Sequence, residues 1–200
     1  MTLIELLQGI SYTTPSDQAL LEQLEITKIT EDSRAATAGT LFVALRGTQA
    51  DGHRFIPSAI EAGSRAIVLE VLPEELQEGV AYIVVPSSSE VLGLLSSALH
   101  GHPSRQLTVV GVTGTNGKTT IATLLFRLFR ALGYRCGLLS TVCNYIEDEA
   151  ISATHTTPSA PELQALLGRM RDAGCTHVFM EVSSHALAQH RVAGLHFRGG

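Results

Sequence analysis

The chain has 200 residues, 44% of them hydrophobic, which suits one large domain or two small ones with packed cores and excludes a disordered chain. Its net charge is −5 with no long basic run, so a nucleic-acid partner has no electrostatic support, and an anionic ligand must be captured by local donors and a metal ion. The N-terminal MTLIELLQGI contains Glu5 and no basic segment, unlike a secretory signal, and no apolar run reaches spanning length; the expectation is a cytoplasmic protein with no membrane partner.

In chain order, the first half reads as a small α/β unit. Residues 26–30 and 41–45 predict strands, the second almost continuously apolar (Leu41, Phe42, Val43, Ala44, Leu45). Phe55, Ile56, Ala59, Ile60 and Ala62 fall on one face of a helix that Gly63 stops. Residues 66–69 and 82–85 predict buried strands. Ser87, Ser88, Ser89 and Glu90 form an N-cap cluster for a helix running to about His100. Gly101-His102-Pro103 ends that helix sharply, and the domain boundary is placed there: residues 1–103 and 104–200.

The second half alternates strand and helix, which argues for a parallel sheet covered on both sides. Val109, Val110 and Val112 lead into the turn Gly114-Thr115-Asn116-Gly117, after which Lys118-Thr119-Thr120 open an apolar-periodic helix. Such a strand–loop–helix passage suits a nucleotide phosphate. Glycines let backbone N–H groups turn toward the anion, and the helix N-terminus adds unpaired donors. Lys118 would reach the β- and γ-phosphates and Thr119 would ligate Mg²⁺. The usual P-loop spacing puts its first glycine at position 112, whereas here the glycines stand at Gly111 and Gly114. The plainer alternative is a glycine-rich turn beside an incidental lysine; the flanking strand and helix favour the nucleotide site.

Residues 136–140 predict the next strand and 142–153 an irregular, polar surface hairpin. A helix over 161–173 carries Leu163, Leu166, Leu167 and Met170 on one face, and a strand over 177–182 follows. A further strand is read near 195–197. Three polar clusters then fall at strand ends: 113–120, 154–157 and 181–185. In open α/β sheets ligands bind beyond the carboxyl ends of the strands, so these clusters are expected to converge. Cys136, Cys143 and Cys175 are widely spaced without a Cys-x-x-Cys pair. Reduced thiols are expected, and a zinc site shared with the histidines is disfavoured. Ser183-Ser184-His185 invites a hydrolase reading, but adjacent residues rarely present nucleophile-to-base geometry and no Gly-x-Ser-x-Gly elbow is present.

GVTGTNGKTT resembles the ATP loop of the Mur ligase superfamily. The segment 32–70, the HTTP run at 155–158 and MEVSSHALAQHRV at 180–192 are similar to the branch that adds a diamino acid to UDP-N-acetylmuramoyl-L-alanyl-D-glutamate in peptidoglycan synthesis. The resemblance implies an α/β fold in which a small UDP-binding domain precedes an incomplete P-loop-type ATP-binding domain. It implies an ATP-dependent ligase, with ATP as co-substrate and Mg²⁺ as cofactor, that adds 2,6-diaminopimelate in preference to lysine.

The resemblance also implies site residues. Gly114, Thr115, Asn116, Gly117, Lys118, Thr119 and Thr120 would bind ATP, with Lys118 catalytic. Thr119 and Glu181 would hold the metal. Ser33, Thr48, Gln49, Ala50, Thr156, Thr157, Ser183, Gln189 and Arg191 would bind the UDP-muramoyl substrate. His155 stands where the family commonly has Asn. Glu31 stands where an apolar residue is common, so its contact would be made by the main chain alone. By itself 32–34 reads as a turn and 156–157 as helix capping. The family continues with a second metal site and an amino-acid-binding domain, so this chain is expected to be an incomplete portion unable to complete ligation. The other readings are a folylpolyglutamate synthetase-like ligase, which shares the ATP loop but not a uridine-binding domain, and a nucleotide-binding module without chemistry.

Overall fold

The computed structural model describes residues 1–47, 51–153 and 156–200. The chain forms two compact units, Met1–Leu99 and His100–Gly200.

The first unit is built on a four-stranded, all-parallel sheet. Its strands β1 (Lys28–Thr30), β2 (Thr40–Val43), β3 (Ala66–Leu69) and β4 (Ala81–Val84) lie in sequence order. β2 and β3 are buried along their whole length, as expected of strands covered on both faces. One face packs Phe42, Ile67, Leu69 and Tyr82 against Ile56, Ala59 and Ile60 of α3 (Ile56–Glu61). Two short helices precede the sheet, α1 (Leu3–Leu6) and α2 (Gln18–Gln23). The sequence reading did not foresee them, although the Thr2-x-x-Glu5 spacing signals α1. Thr2 Oγ1 accepts from the Glu5 N–H and Glu5 Oε2 accepts from the Thr2 N–H, a reciprocal cap. Helix α4 (Ser88–Leu99) starts behind Ser87, whose Oγ accepts from the Glu90 N–H at 3.4 Å.

In the second unit α5 (Pro103–Gln106) starts at Pro103, which follows a left-handed His102. Proline ends one helix here and heads another, as its fixed φ allows at a first-turn position. The unit division falls at Leu99/His100, ahead of the boundary drawn from the Gly-His-Pro punctuation.

The second sheet has the order β10-β5-β9-β6-β7-β8. Its members are β5 (Thr108–Val112), β6 (Cys136–Leu139), β7 (Cys143–Ile146), β8 (Glu149–Ser152), β9 (His177–Glu181) and β10 (Phe197–Gly199). β10, β5, β9 and β6 are parallel, while β7 and β8 add antiparallel. β9 lies between β5 and β6, so the β5-to-β6 crossover through α6 (Lys118–Ala131) skips one strand position. The hairpin expected at 142–153 is present as β7 and β8, but it is regular rather than irregular, and β7 joins it to the main sheet along β6. Asn144 and Ile146 turn inward and are buried, a period-2 pattern that the polar content of the segment masked.

Helices cover both faces. Ala122 and Phe126 of α6 pack on Val112, Cys136, Leu138 and Phe179, and Leu163, Leu166, Leu167 and Met170 of α7 (Ala160–Asp172) pack on Val109, Leu139, Val178 and Met180. Burial pushes the thiols of Cys136 and Cys175 up to about 11, so both are un-ionised at neutral pH. No helix among the described residues is long and apolar enough to cross a membrane.

Candidate functional site

Register explains why distant polar segments meet. In the parallel β5–β9 pair Val112 lies opposite Glu181, and in the β6–β9 pair Leu139 lies opposite Met180. Three adjacent strands therefore end side by side, delivering the loop after Val112, the Glu181 carboxylate and Ser140-Thr141 to one place. This is the carboxyl edge at which open α/β sheets bind ligands.

The loop from Thr113 to Gly117 is solvent-exposed. Gly114 has φ +137° and Gly117, the N-cap of α6, has φ +84°, both in the region that favours glycine. No side chain caps α6, so its first N–H groups point outward without a helical partner. The Lys118 ammonium lies across the loop and donates to the Gly114 carbonyl at 2.8 Å. These donors, the helix dipole and the Lys118 ammonium together fit a polyphosphate. Gly111 has a different task. A Cβ there would stand 2.9 Å from the Phe197 ring, so this glycine lets β10 close against β5 and does not belong to the phosphate loop.

Glu181 is 1% exposed, and no cation pairs with it among the described residues. Its Oε2 accepts from Thr119 Oγ1 at 2.9 Å and Thr141 Oγ1 at 3.2 Å; its Oε1 accepts from the Thr141 N–H at 2.8 Å. A buried carboxylate held by neutral donors alone is costly, and a bound cation relieves that cost. The Thr119 hydroxyl donates to Glu181 and keeps lone pairs facing outward. An all-oxygen pair beside a phosphate loop suits Mg²⁺, which takes few protein ligands and completes its shell with water and phosphate.

Thr141 is a site residue that the sequence reading missed. The turn carrying it is fixed by Asn144, whose Oδ1 accepts from the Ser140 N–H at 3.1 Å, and by Ser140 Oγ, which donates to the Cys143 carbonyl at 2.7 Å. The buried Asn144 is the one sequence signal that could have pointed to this turn.

The remaining second-unit residues gather at the same edge. Thr157 is 1% exposed; its hydroxyl donates to the Glu181 carbonyl at 3.0 Å and accepts from the Ser183 N–H at 3.2 Å. Both roles of that hydroxyl are spent on the backbone, so it staples this segment to the end of β9. Ser183 caps α8 (Ser184–Ala188), a helix the sequence reading had taken only as a polar cluster. Arg191 donates to the Thr157 carbonyl and to Gln189 Oε1, both at 2.9 Å, which aims its guanidinium along this edge. Thr156 is half-buried beside them. Replacing Thr157 with Val is expected to cost about 2 kcal/mol by stranding two backbone groups, while Thr157→Ser recovers most of the loss. Thermal melting of the two variants checks this.

In the first unit Ser33 opens a 3₁₀ turn, Ser33–Ala35, capped by Asp32. It lines a cavity of about 630 Å³ with Asp32, Arg34, Phe55, Ser58 and Ala62. The Arg34 side chain, bound to the Asp32 carboxylate, holds that carboxyl below its usual range. Glu31 is half-buried at the end of β1. Thr48, Gln49, Ala50, Thr154 and His155 lie outside the described residues.

A parallel sheet and a second, mixed sheet whose parallel strands end at an uncapped glycine loop and a buried carboxylate define an α/β protein with a nucleotide-binding-type domain. Residues 112–200 match the family described as the Mur ligase middle domain, and residues 25–100 match the Mur ligase family, catalytic domain. The chain belongs to the Mur ligase family.

Among its relatives is the UDP-N-acetylmuramoyl-L-alanyl-D-glutamate–2,6-diaminopimelate ligase of Bacteroides fragilis. It is 57% identical over 179 residues, covering 90% of this chain and 37% of the relative. The ligase of the same name from Bacteroides thetaiotaomicron is 52% identical over 200 residues, covering 100% of this chain and 41% of the relative. This chain thus spans well under half the length of these relatives. A solved structure under that enzyme name superposes with a TM-score of 0.77 at 27% identity, covering 97% of this chain and 38% of the other. An Acinetobacter baumannii ligase that adds D-alanyl-D-alanine, by its name, gives 0.63 at 26% identity over 92% of this chain and 36% of the other.

Proposed function

We propose that this chain carries the UDP-substrate-binding and phosphate-binding portions of an ATP-dependent ligase. The reaction is addition of 2,6-diaminopimelate to UDP-N-acetylmuramoyl-L-alanyl-D-glutamate in peptidoglycan synthesis. The observation that carries this reading is the convergence of the Gly114–Thr120 loop with buried Glu181 through the Thr119 hydroxyl, 2.9 Å away. The relatives' names supply the substrate class.

In the first stage a carboxylate oxygen of the D-glutamyl residue attacks the γ-phosphorus of ATP. The bond to the β-γ bridging oxygen breaks and ADP leaves, giving an acyl phosphate. In the second, the incoming amine attacks the acyl carbon and inorganic phosphate departs with the bonding pair. Both partners of the first stage are anions, so charge neutralisation and alignment dominate catalysis. Loop N–H groups cradle the phosphates, and Lys118 leaves the Gly114 carbonyl for the γ-phosphate. Thr119 and Glu181 would hold Mg²⁺, which neutralises phosphate charge when bound. Thr156, Ser183, Gln189 and Arg191 line the edge where the peptidyl carboxylate must approach, with Arg191 the charged anchor. Thr157 contributes its backbone. Ser33 and the 48–50 segment would take the uridine nucleotide, in a domain comprising residues 1–103, with residues 104–200 the ATP-binding part. Such a reaction belongs in the cytoplasm.

Isothermal calorimetry of the chain with ATP·Mg²⁺, UDP-N-acetylmuramoyl-dipeptide and folate tests the reading. Binding of the first two without folate supports it; folate binding, or no uridine-ligand binding, overturns the substrate assignment. Lys118→Ala is expected to weaken ATP at least about tenfold, by loss of one charge-assisted contact, and to leave the uridine ligand unaffected.

A further inference from the structure

The cavity beside Ser33 is bordered on one side by a 3₁₀ turn, Gly52–Phe55, and a single histidine fastens that turn to the sheet. The His53 side chain is 15% exposed. Its Nε2 faces two backbone donors beyond β3, the Glu70 N–H at 3.0 Å and the Val71 N–H at 3.3 Å. Two N–H groups aimed at one ring nitrogen require a lone pair there, so the proton of the neutral ring sits on Nδ1. Nδ1 then donates to Asp51 Oδ1 at 2.6 Å, an oxygen that also accepts from the His53 N–H at 3.0 Å. These contacts, the backbone one first, hold the Asp51 carboxyl below its usual range.

The partners are themselves anchored. Asp51 forms an isolated antiparallel bridge with Arg46. Glu70 Oε1 accepts from the N–H and hydroxyl of Ser88, both at 2.9 Å, and Glu70 Oε2 faces Arg46 Nε at 3.4 Å. The charged groups around the ring are therefore Asp51 on its own turn, Glu70 from the end of β3, and Arg46 from the preceding segment.

We propose that His53 is a positioning residue: its neutral form latches the Gly52–Phe55 turn onto the end of β3, fixing the Phe55 wall of the Ser33 cavity, and acid releases the latch. Protonation places an N–H at Nε2 against two N–H donors. The two amides lose the ring nitrogen as acceptor and face a like donor, while the imidazolium is still drawn to Asp51, so the ring stays with its own turn and leaves β3. Ligand affinity of the cavity then declines in acid, a consequence that rests on reading the cavity as the uridine-nucleotide site; the latch itself does not.

Nitrogen-15 NMR and amide exchange on the ligand-free chain, titrated from about pH 8 to about pH 5, test the latch directly. The expected result is an Nδ1–H tautomer at neutral pH and protection of the Glu70 and Val71 amides that falls about tenfold as His53 protonates. In His53→Gln the carbamoyl oxygen accepts the same bonds without titrating, so protection there stays flat. An Nε2–H tautomer, or parallel loss of protection in both proteins, overturns the proposal. UDP titrations at about pH 7.5 and about pH 5.5 then read the cavity: wild-type affinity weakens in acid and that of His53→Gln does not. Equal pH dependence of the two proteins counts against the latch. Absence of UDP binding at either pH counts against the uridine reading alone, and the NMR result stands.

Discussion

Glu181→Gln is expected to weaken Mg²⁺-dependent ATP binding about 100-fold while leaving the fold as stable as before. The two halves of that expectation have one cause. The carboxylate is buried, and it is held by a backbone N–H and two hydroxyls with no cation among the described residues. An anion in such surroundings carries an uncompensated desolvation cost, so a neutral amide of nearly the same shape relieves the fold. The Gln oxygen can keep the Thr141 N–H, and the hydroxyls of Thr119 and Thr141 rotate to accept from the amide nitrogen. What the amide cannot supply is the charge a hard divalent cation needs. Calorimetry with Mg²⁺ and with EDTA, beside thermal melts, separates the two halves. Unchanged affinity and unchanged Mg²⁺ dependence would remove Glu181 from the metal site; a large drop in melting temperature would make its role structural.

Gly52→Ala is expected to destabilise the first unit by about 3 kcal/mol, lowering its melting temperature by roughly 15 °C. A Cβ at position 52 would stand 2.7 Å from both the nitrogen and the oxygen of Leu45, and 3.2 Å from the carbonyl carbon of Ala44. These are backbone atoms in the segment just beyond the fully buried β2, so they cannot swing aside as a side chain would. The Gly52 N–H also donates to the Leu45 carbonyl at 2.7 Å, and that bond must stretch to admit the methyl group. Differential scanning calorimetry measures the effect. Because Asp51 and His53 flank this glycine, the same variant should lower amide protection at Glu70 even at neutral pH. A melting temperature within about 2 °C of wild type would show that the turn adjusts freely.

Much of this was legible in the sequence because its cause is local. Runs such as Leu41–Leu45 specify buried parallel strands by composition. The Leu163, Leu166, Leu167, Met170 stripe specifies a helix face by period, and the glycines at 114 and 117 with Lys118 announce an anion-binding turn. Polar segments hid structure where the burial pattern depended on a partner. The stretch 142–153 reads as an irregular polar hairpin, yet Asn144 and Ile146 face inward because β6 offers an open edge for β7 to pair with. The helices α1 and α8, of four and five residues, are too short to show a period, and only the Thr2–Glu5 spacing and the Ser183 cap mark them.

Roles divide in the same way. The chain alone determined that Thr119, Thr157 and Glu181 would be polar residues at strand ends. It could not reveal that β9 inserts between β5 and β6, because strand order is set by long-range packing of helices on the two faces. That insertion puts Glu181 within reach of both Thr119 and Thr141. It also commits the Thr157 hydroxyl to the backbone, and the Phe197 ring assigns Gly111 to sheet packing. Sequence fixes which atoms are available to hydrogen-bond or carry charge. Only the assembled sheet decides which of them are already used, because each donor and acceptor serves a limited number of partners and the nearest ones claim it.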